Sequence, residues 1–190
     1  MSDGCIVIGG SAGALEALYA VLPALPADLP VPVALVVHVM AGRPSHLASI
    51  LGDRTRLRVK EAEDKEPLAA GTLYVAPPDY HLFVERKRCL SLSVDEPVHF
   101  SRPAIDPLFE SAADAYGPAL VGLLLSGANE DGARGLARIV ARGGVALVQA
   151  PASAQVATMP EAGARLAAPC LSLTPAELGP TLARLVQEPR

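Results

Sequence analysis

Apolar runs of strand length alternate with segments of helical character along most of the chain. The main runs are continuous rather than alternating, which is typical of parallel strands buried on both faces. We predict strands at the run that begins at Cys5 and over residues 33–39, 57–59, 119–125, 145–149 and 170–173. We predict helices over residues 14–22, 45–51, 101–117, 159–166, between the polar segment 126–135 and about 142, and after Thr174.

Residues 73–94 interrupt this alternation, because their short apolar runs are separated only by polar turns at 77–79 and 85–88. That spacing is too close for helical crossovers and favours two or three short strands in an antiparallel hairpin, at an edge of the sheet or over its end. The predicted fold class is therefore α/β: a three-layer α/β/α fold with a doubly wound, mostly parallel sheet and an inserted antiparallel β-hairpin. Residues 1–190 are expected to form a single domain.

The first predicted strand ends in a serine flanked by glycines. Residues 9–13 fit the pattern G-x-S-x-G, and helix-forming residues follow at once. A serine in a sharp turn from strand to helix is lifted out at the end of the sheet, so Ser11 is the first candidate nucleophile. Two other interpretations stay open at this point: a phosphate cradle that uses Gly10 and Gly13, and a simple helix cap. The first glycine of a dinucleotide motif is replaced by Ile8.

Two further polar groups follow predicted strands. His38 comes at the end of the second strand, and Asp131 belongs to the polar cluster after the strand at 119–125. Catalytic groups of such sheets gather beyond the carboxyl ends of the strands. A hydroxyl, an imidazole and a carboxylate are the parts needed to activate a serine. Taken singly, His38 could be a core histidine, and Asp131 could cap the helix that follows it.

The remaining histidines, at positions 46, 81 and 99, are weaker candidates. Two backbone donors for an oxyanion are expected, the N–H of Ala12 at the start of the first helix and the loop at Ala128 across the cleft. The chain order serine, histidine, aspartate differs from that of α/β-hydrolases, chymotrypsin and subtilisin. It predicts a separate family of serine hydrolases.

Composition narrows the functional classes further. The net charge is −4 without a basic stripe, so nucleic-acid binding is not expected. The three cysteines show no metal-ligand or disulfide spacing and indicate a reducing compartment. The N-terminal residues lack the pattern of a secretion signal, and no apolar run reaches the length of a membrane span. A cytoplasmic protein without membrane insertion is expected.

Longer motifs occur in a fixed order: IGGSAGALEAL at 8–18, VVHVM at 36–40, YVAPPDYHL at 74–82, SRPAIDPLF at 101–109, LSGANEDGARG at 125–135 and QAPASAQVATMPEAG at 149–163. Through them the chain resembles, over nearly its whole length, the catalytic domain of the chemotaxis protein-glutamate methylesterases (CheB type). The resemblance implies hydrolysis of γ-glutamyl methyl esters on the cytoplasmic domain of methylated chemoreceptors, and often glutamine deamidation, without metal or other cofactor. It also implies a catalytic triad of Ser11, His38 and Asp131.

The chain departs from that family at several points. The family usually has threonine where this chain has Ala12, and Met-Gly where it has Ala128 and Asn129. Backbone donors survive both changes, whereas the lining of the cleft is altered. Arg102 is expected either to border the cleft and orient acidic receptor helices or to form a structural ion pair.

Family members commonly carry a phosphorylatable receiver domain ahead of the catalytic one. Only a few residues precede the first predicted strand, so no receiver domain is expected, and regulation would come from a separate protein or from expression. Two alternatives from other classes remain: a degenerate module that binds chemoreceptors without turnover, and a nucleotide-binding Rossmann-like domain.

Overall fold

The computed structural model describes residues 4–187, so residues 1–3 and 188–190 of the predicted domain lie outside the described residues. The strands are β1 Cys5–Gly10, β2 Val33–Val37, β3 Arg58–Glu61, β4 Thr72–Val75, β5 His81–Val84, β6 Leu90–Ser93, β7 Leu120–Leu124, β8 Val145–Gln149 and β9 Leu171–Leu173. The helices are α1 Ala14–Val21, α2 Leu47–Gly52, α3 Ile105–Tyr116, α4 Ala133–Ala141, α5 Thr158–Leu166 and α6 Pro175–Gln187. The predicted elements occur in the predicted order, with ends displaced by a few residues.

Seven strands form one parallel sheet in the order β3-β4-β2-β1-β7-β8-β9. Strand β1 is central, because it pairs with β2 on one side and with β7 on the other. The chain therefore winds outward from β1 in both directions, and the crevice at such a reversal is where open α/β sheets bind ligands. Within residues 4–187, no helix has both the length and the apolar character needed to cross a membrane.

The segment predicted as one hairpin is divided between two sheets. Strand β4 lies in the parallel sheet between β2 and β3, so its assignment to the hairpin was wrong. Strands β5 and β6 form the predicted antiparallel pair, and the backbone N–H of Val84 donates to Ser111 Oγ of α3 at 3.0 Å. The division has a physical reason: β4 pairs with β2 and β3, which precede it in the chain, and a short apolar run does not reveal which strands lie beside it.

Alternate residues of β1 pack on opposite faces of the sheet. Cys5 and Val7 belong to the apolar cluster that contains residues of α3, α4 and α5, whereas Ile6 and Ile8 belong to the cluster with residues of α1, α2 and α6. All four side chains are fully buried. Two apolar layers on the two faces account for the continuous apolar runs and complete the predicted three-layer fold.

Helix α3 begins directly over the carboxyl end of β1. A Cβ added to Gly9 would lie 2.3 Å from Cγ2 of Ile105, the first residue of α3. No side chain fits in that space, so the glycine allows the helix N-terminus to approach the strand closely. The first backbone N–H groups of α3 are thereby brought to the edge of the sheet where the predicted catalytic residues lie.

Candidate active site

Ser11 occupies the turn between β1 and α1. Gly13 ends this turn with a φ of 79°, in the left-handed region that favours glycine. A Cβ on Gly13 would lie 2.5 Å from Gln155 Cβ and 2.8 Å from Ser126 Oγ, so neighbouring residues also leave no room for a side chain. Within residues 4–187, the Ser11 hydroxyl makes no hydrogen bond, so no such bond joins it to His38.

Backbone hydrogen bonds fix the orientation of the turn. The N–H of Ser11 donates to the carbonyl of Ser126 at 2.9 Å, and the carbonyl of Ser11 accepts from the N–H of Ala14 at 3.0 Å. In a trans peptide the C=O and N–H point in opposite directions, so the N–H of Ala12 points away from α1. Ala12 is exposed. This geometry suits the predicted oxyanion donor at Ala12, which stays a prediction.

His38 directly follows β2, and its backbone N–H donates to the carbonyl of Gly10 at 3.1 Å. Gly10, the last residue of β1, is thus bonded to the backbone of His38 and directly precedes Ser11. The imidazole Nε2 of His38 lies 2.8 Å from Asp131 Oδ2, and the two side chains are 11% and 0% exposed. The structure therefore joins the predicted histidine and aspartate in one buried pair, although 93 residues separate them.

Asp131 also caps a helix, but not the one that follows it. Its Oδ2 accepts the backbone N–H of Ile105 at 2.7 Å, and its Oδ1 accepts that of Asp106 at 3.0 Å. Both donors lie at the start of α3, so the alternative interpretation of Asp131 as a cap of the following helix, α4, was wrong. The physical reason is that α3 lies over the sheet and presents unpaired N–H groups to this loop.

The protonation of the pair follows from these contacts. Burial opposes the charge of Asp131, but the hydrogen bonds from His38, Ile105 and Asp106 outweigh burial and hold its pKa below the ordinary value. An ionised carboxylate only accepts hydrogen bonds, so His38 Nε2 carries the proton of this bond. Nδ1 is then the unprotonated nitrogen of the neutral ring. In the chymotrypsin-type triad the two ring nitrogens have the opposite assignment.

The sequence model of the CheB methylesterase family matches residues 6–182. The chain belongs to the CheB methylesterase family. A relative from Leptospira interrogans with the provisional name protein-glutamate methylesterase/protein-glutamine glutaminase is 45% identical over 160 residues, which are 84% of this chain and 83% of the relative. A protein-glutamate methylesterase/protein-glutamine glutaminase of Archaeoglobus fulgidus is 39% identical over 167 residues, which are 86% of this chain and 48% of that protein.

Among solved structures, this CheB-family chain is similar to the CheB methylesterase catalytic domain of Thermotoga maritima. The TM-score is 0.93 with 29% identity, and the match covers 97% of this chain and 100% of that one. The family and fold class expected from the sequence are thus confirmed. The chain spans about half the length of several longer relatives, such as the one from Archaeoglobus fulgidus, of which it covers 48%.

Ala128 and Arg102 were also predicted to belong to the site of this CheB-family chain. Ala128 is exposed in the loop between β7 and α4, as an oxyanion donor requires. Arg102 Nη1 donates to the carbonyls of Val94 and Asp95 at 2.8 and 3.1 Å. Arg102 therefore holds the segment after β6, which is a structural role without an ion pair to any of residues 4–187, and its contact with a substrate stays a prediction.

The other histidines lie outside the pair formed by His38 and Asp131. His46 is exposed before α2. His81 is buried, accepts the backbone N–H of Ala104 with Nδ1 at 3.2 Å and donates from Nε2 to the carbonyl of Glu96 at 3.1 Å. His99 Nε2 lies 3.7 Å from Asp106 Oδ2. His81 has a structural role, and His99 lies beside Asp106, near the carboxylate of Asp131.

Ser126 is a supporting residue that the sequence analysis did not identify. It is fully buried at the end of β7, beside the turn that holds Ser11. Its Oγ donates to the carbonyl of Ala12 at 2.7 Å and accepts the N–H of Val156 at 2.9 Å. The backbone carbonyl of Ser126 also accepts the N–H of Ser11, so Ser126 holds the turn through both its side chain and its backbone. Its place at a strand end was the available sequence signal.

A cluster of possible cation ligands lies behind Asp131. His99, Asp106 and Asp131 each offer a ligand atom, and these atoms lie within 4.8 Å of one another. Both oxygens of Asp131 already accept hydrogen bonds, and Arg134 Nε lies 3.6 Å from Asp106 Oδ2. A positive side chain thus already faces these acids. The cluster fits a network of charges better than a metal centre, and the absence of a metal requirement stays a prediction.

Proposed function

We propose that this chain is a serine ester hydrolase that removes methyl groups from γ-glutamyl methyl esters on the cytoplasmic helices of chemoreceptors. The observation that carries the proposal is the pair of His38 and Asp131, which lie in the segments that follow β2 and β7, the two strands that flank β1. The names of the relatives, protein-glutamate methylesterase/protein-glutamine glutaminase, supply the substrate class. We place the activity in the cytoplasm, under the control of a separate regulatory protein.

In the first step, Ser11 Oγ attacks the ester carbonyl carbon while His38 Nδ1 takes the hydroxyl proton. Asp131 holds the ring and stabilises the imidazolium that forms. The N–H groups of Ala12 and Ala128 stabilise the negative oxygen of the tetrahedral intermediate. The C–O bond to the methoxy group then breaks, and His38 gives its proton to the departing methanol.

In the second step, water attacks the glutamyl ester of Ser11, and His38 again takes and returns the proton. The products are a receptor glutamate and free Ser11. The same sequence with a glutamine amide would release ammonia, which is the second activity in the names of the relatives. Neither step needs an oxidant, a nucleotide or a metal.

The decisive experiment measures methanol release from methylated chemoreceptor membranes. We expect Ser11→Ala and His38→Gln to reduce the rate by roughly 10³-fold or more, with unchanged circular dichroism. Ser172→Ala is the matched control, because Ser172 is exposed on β9 at an edge of the sheet. Wild-type protein that binds the membranes without releasing methanol, and Ser11→Ala that binds equally well, would contradict the proposal and favour a binding module.

A further inference from the structure

Two carboxylates connect the N-termini of α3 and α4 in a reciprocal way. Asp131, in the loop before α4, accepts the first backbone N–H groups of α3, including that of Asp106 at 3.0 Å. Asp106, in the first turn of α3, accepts the N–H of Gly135 in the first turn of α4 with Oδ1 at 2.7 Å. The position of the catalytic carboxylate is therefore coupled to Asp106, which takes no part in the mechanism above.

Asp106 is a poorly satisfied buried acid. It is 1% exposed, and its Oδ2 makes no hydrogen bond. The nearest cationic group is Arg134 Nε at 3.6 Å, on a side chain that is 66% exposed to solvent, and His99 Nε2 lies at 3.7 Å. Burial raises the pKa of Asp106 to about 6; the N–H of Gly135 and Arg134 lower it, while Asp131 and Glu110 raise it. His81, on β5, accepts the N–H of Ala104 on the other side of the α3 N-terminus.

An ionised group in such surroundings destabilises the folded state. Asparagine would keep an oxygen for the N–H of Gly135 without the buried charge. A chain that keeps a destabilising acid next to its catalytic carboxylate has the arrangement expected of a residue maintained for function.

We propose that Asp106 is a positioning residue for the pair of Asp131 and His38, and that its negative charge helps Asp131 to stabilise the imidazolium that forms on His38 during attack. The inference rests on the function proposed above. Ligand oxygens of Asp106 and Asp131 lie within 4.8 Å of each other, and Asp131 is bonded to His38 at 2.8 Å. Two neighbouring negative charges stabilise the imidazolium formed during attack more than one does, and a stronger base takes the Ser11 proton more readily.

The test is the variant Asp106→Asn. On the acid side of the pH profile of kcat/KM for methanol release, the rate falls to half at a midpoint pH. We expect this midpoint to lie about one pH unit lower in Asp106→Asn than in the wild type. We also expect the plateau to fall by roughly 3- to 10-fold, because His38 becomes a weaker base. Glu110→Gln is the matched control: it changes the same charge on the same helix, but Glu110 is 41% exposed and paired with Arg134. It should leave the midpoint in place. A uniform loss of rate in Asp106→Asn with an unmoved midpoint would overturn the proposal in favour of a purely structural role.

A second measurement does not depend on turnover. The imidazole of His38 can be titrated by NMR in Ser11→Ala, with and without Asp106→Asn. We expect the midpoint to fall by about one unit with Asp106→Asn, whether or not the methyl ester is the substrate. In the protein with native Asp106, the His38 resonance should also respond to a second group that titrates near pH 6, so the test survives even if the variant does not fold. A single-proton curve with the same midpoint in both proteins contradicts the role of Asp106 and leaves the proposed esterase untouched.

Discussion

Asp131 Oδ2 accepts a hydrogen bond from His38 Nε2 at 2.8 Å while the same carboxylate caps α3 through Ile105 and Asp106. One side chain thus orients the imidazole and satisfies two helix N–H groups. Because these N–H groups point at a fixed place beside the sheet, the carboxylate has little freedom to rotate. The geometry of the pair formed by His38 and Asp131 is therefore fixed by the packing of α3 on the sheet.

Asp131→Asn should reduce both activity and stability. The amide NH₂ would face a donor on whichever side it lies, either His38 and Ile105 or Asp106. We expect methanol release to fall by roughly 10³- to 10⁴-fold and the free energy of unfolding to fall by about 1–3 kcal/mol. Rate assays and urea unfolding measure the two effects. Asp53→Asn, on an exposed residue after α2, is the control and should change neither.

The free energy of unfolding should decrease as the pH rises from about 4 to about 6. The folded-state pKa of Asp106 is about 6, above its ordinary value of 3.8, so the folded state binds this proton more tightly than the unfolded state. Protonation of Asp106 therefore stabilises the folded state by on the order of 3 kcal/mol below pH 3.8, and this stabilisation is lost as the pH rises through about 6.

Asp131 contributes a pH dependence of the free energy of unfolding that has the opposite sign. Its pKa is lowered in the fold, so its contribution is lost only as the pH falls below the ordinary range of aspartate. Urea unfolding at several pH values measures the sum, and Asp106→Asn isolates the Asp106 part. An equally steep decrease between pH 4 and 6 in that variant would show that another group causes it.

Gly13→Ala should destabilise the protein more than Gly42→Ala. Both glycines have positive φ, 79° and 68°, so alanine strains the backbone at either position by about 1–3 kcal/mol. Only at Gly13 would the new Cβ also meet Gln155 and Ser126, whereas among residues 4–187 only the chain neighbours of Gly42 come within 4 Å of a Cβ there. Comparison of the two unfolding curves separates strain from collision. Activity should be lost with Gly13→Ala alone, since that turn holds Ser11.

Ser126→Ala should impair catalysis beyond its effect on stability. The hydroxyl bonds Ala12 and Val156, so its loss releases one side of the turn and leaves the partly buried N–H of Val156 unpaired, at about 1–3 kcal/mol. Displacement of the nucleophile should reduce kcat by roughly 10- to 100-fold.

Ser111→Ala is the matched control for Ser126→Ala. The hydroxyl of Ser111 likewise accepts a backbone N–H, from Val84 at 3.0 Å, and donates to a carbonyl, of Pro107 at 2.7 Å, but it lies on α3 against the hairpin. A similar loss of stability without a loss of kcat is expected. Equal kcat values for the two variants would show that the hydroxyl of Ser126 does not position Ser11.

The sequence analysis located the catalytic candidates because their chemistry coincides with strand ends. Ser11, His38 and Asp131 each follow an apolar run, and parallel strands bring their carboxyl ends to one edge. The capping of α3 by Asp131 could not be predicted in this way, since it depends on the packing of a helix that is remote in sequence. Asp106 was missed for a related reason: an acid in the first turn of a helix is an ordinary feature.

The hairpin region shows the same limit. Periodicity identified short strands over residues 73–94, but whether a strand pairs with its neighbour or joins a remote parallel strand depends on tertiary contacts. Strand β4 pairs with the two strands that precede it in the chain, β2 and β3, and its four residues are all buried. The pattern of residues thus predicted which segments are strands better than it predicted their partners.

The pairing of β1 with both β2 and β7 has a consequence for synthesis on the ribosome. Cys5 of β1 lies opposite Leu120 of β7, so the central strand gains its second neighbour only after the whole segment between them has been made. The loop that carries Asp131 follows β7 and is made later still. His38 is made soon after Ser11, but its pair with Asp131 can form only once β7 and the loop after it have left the ribosome.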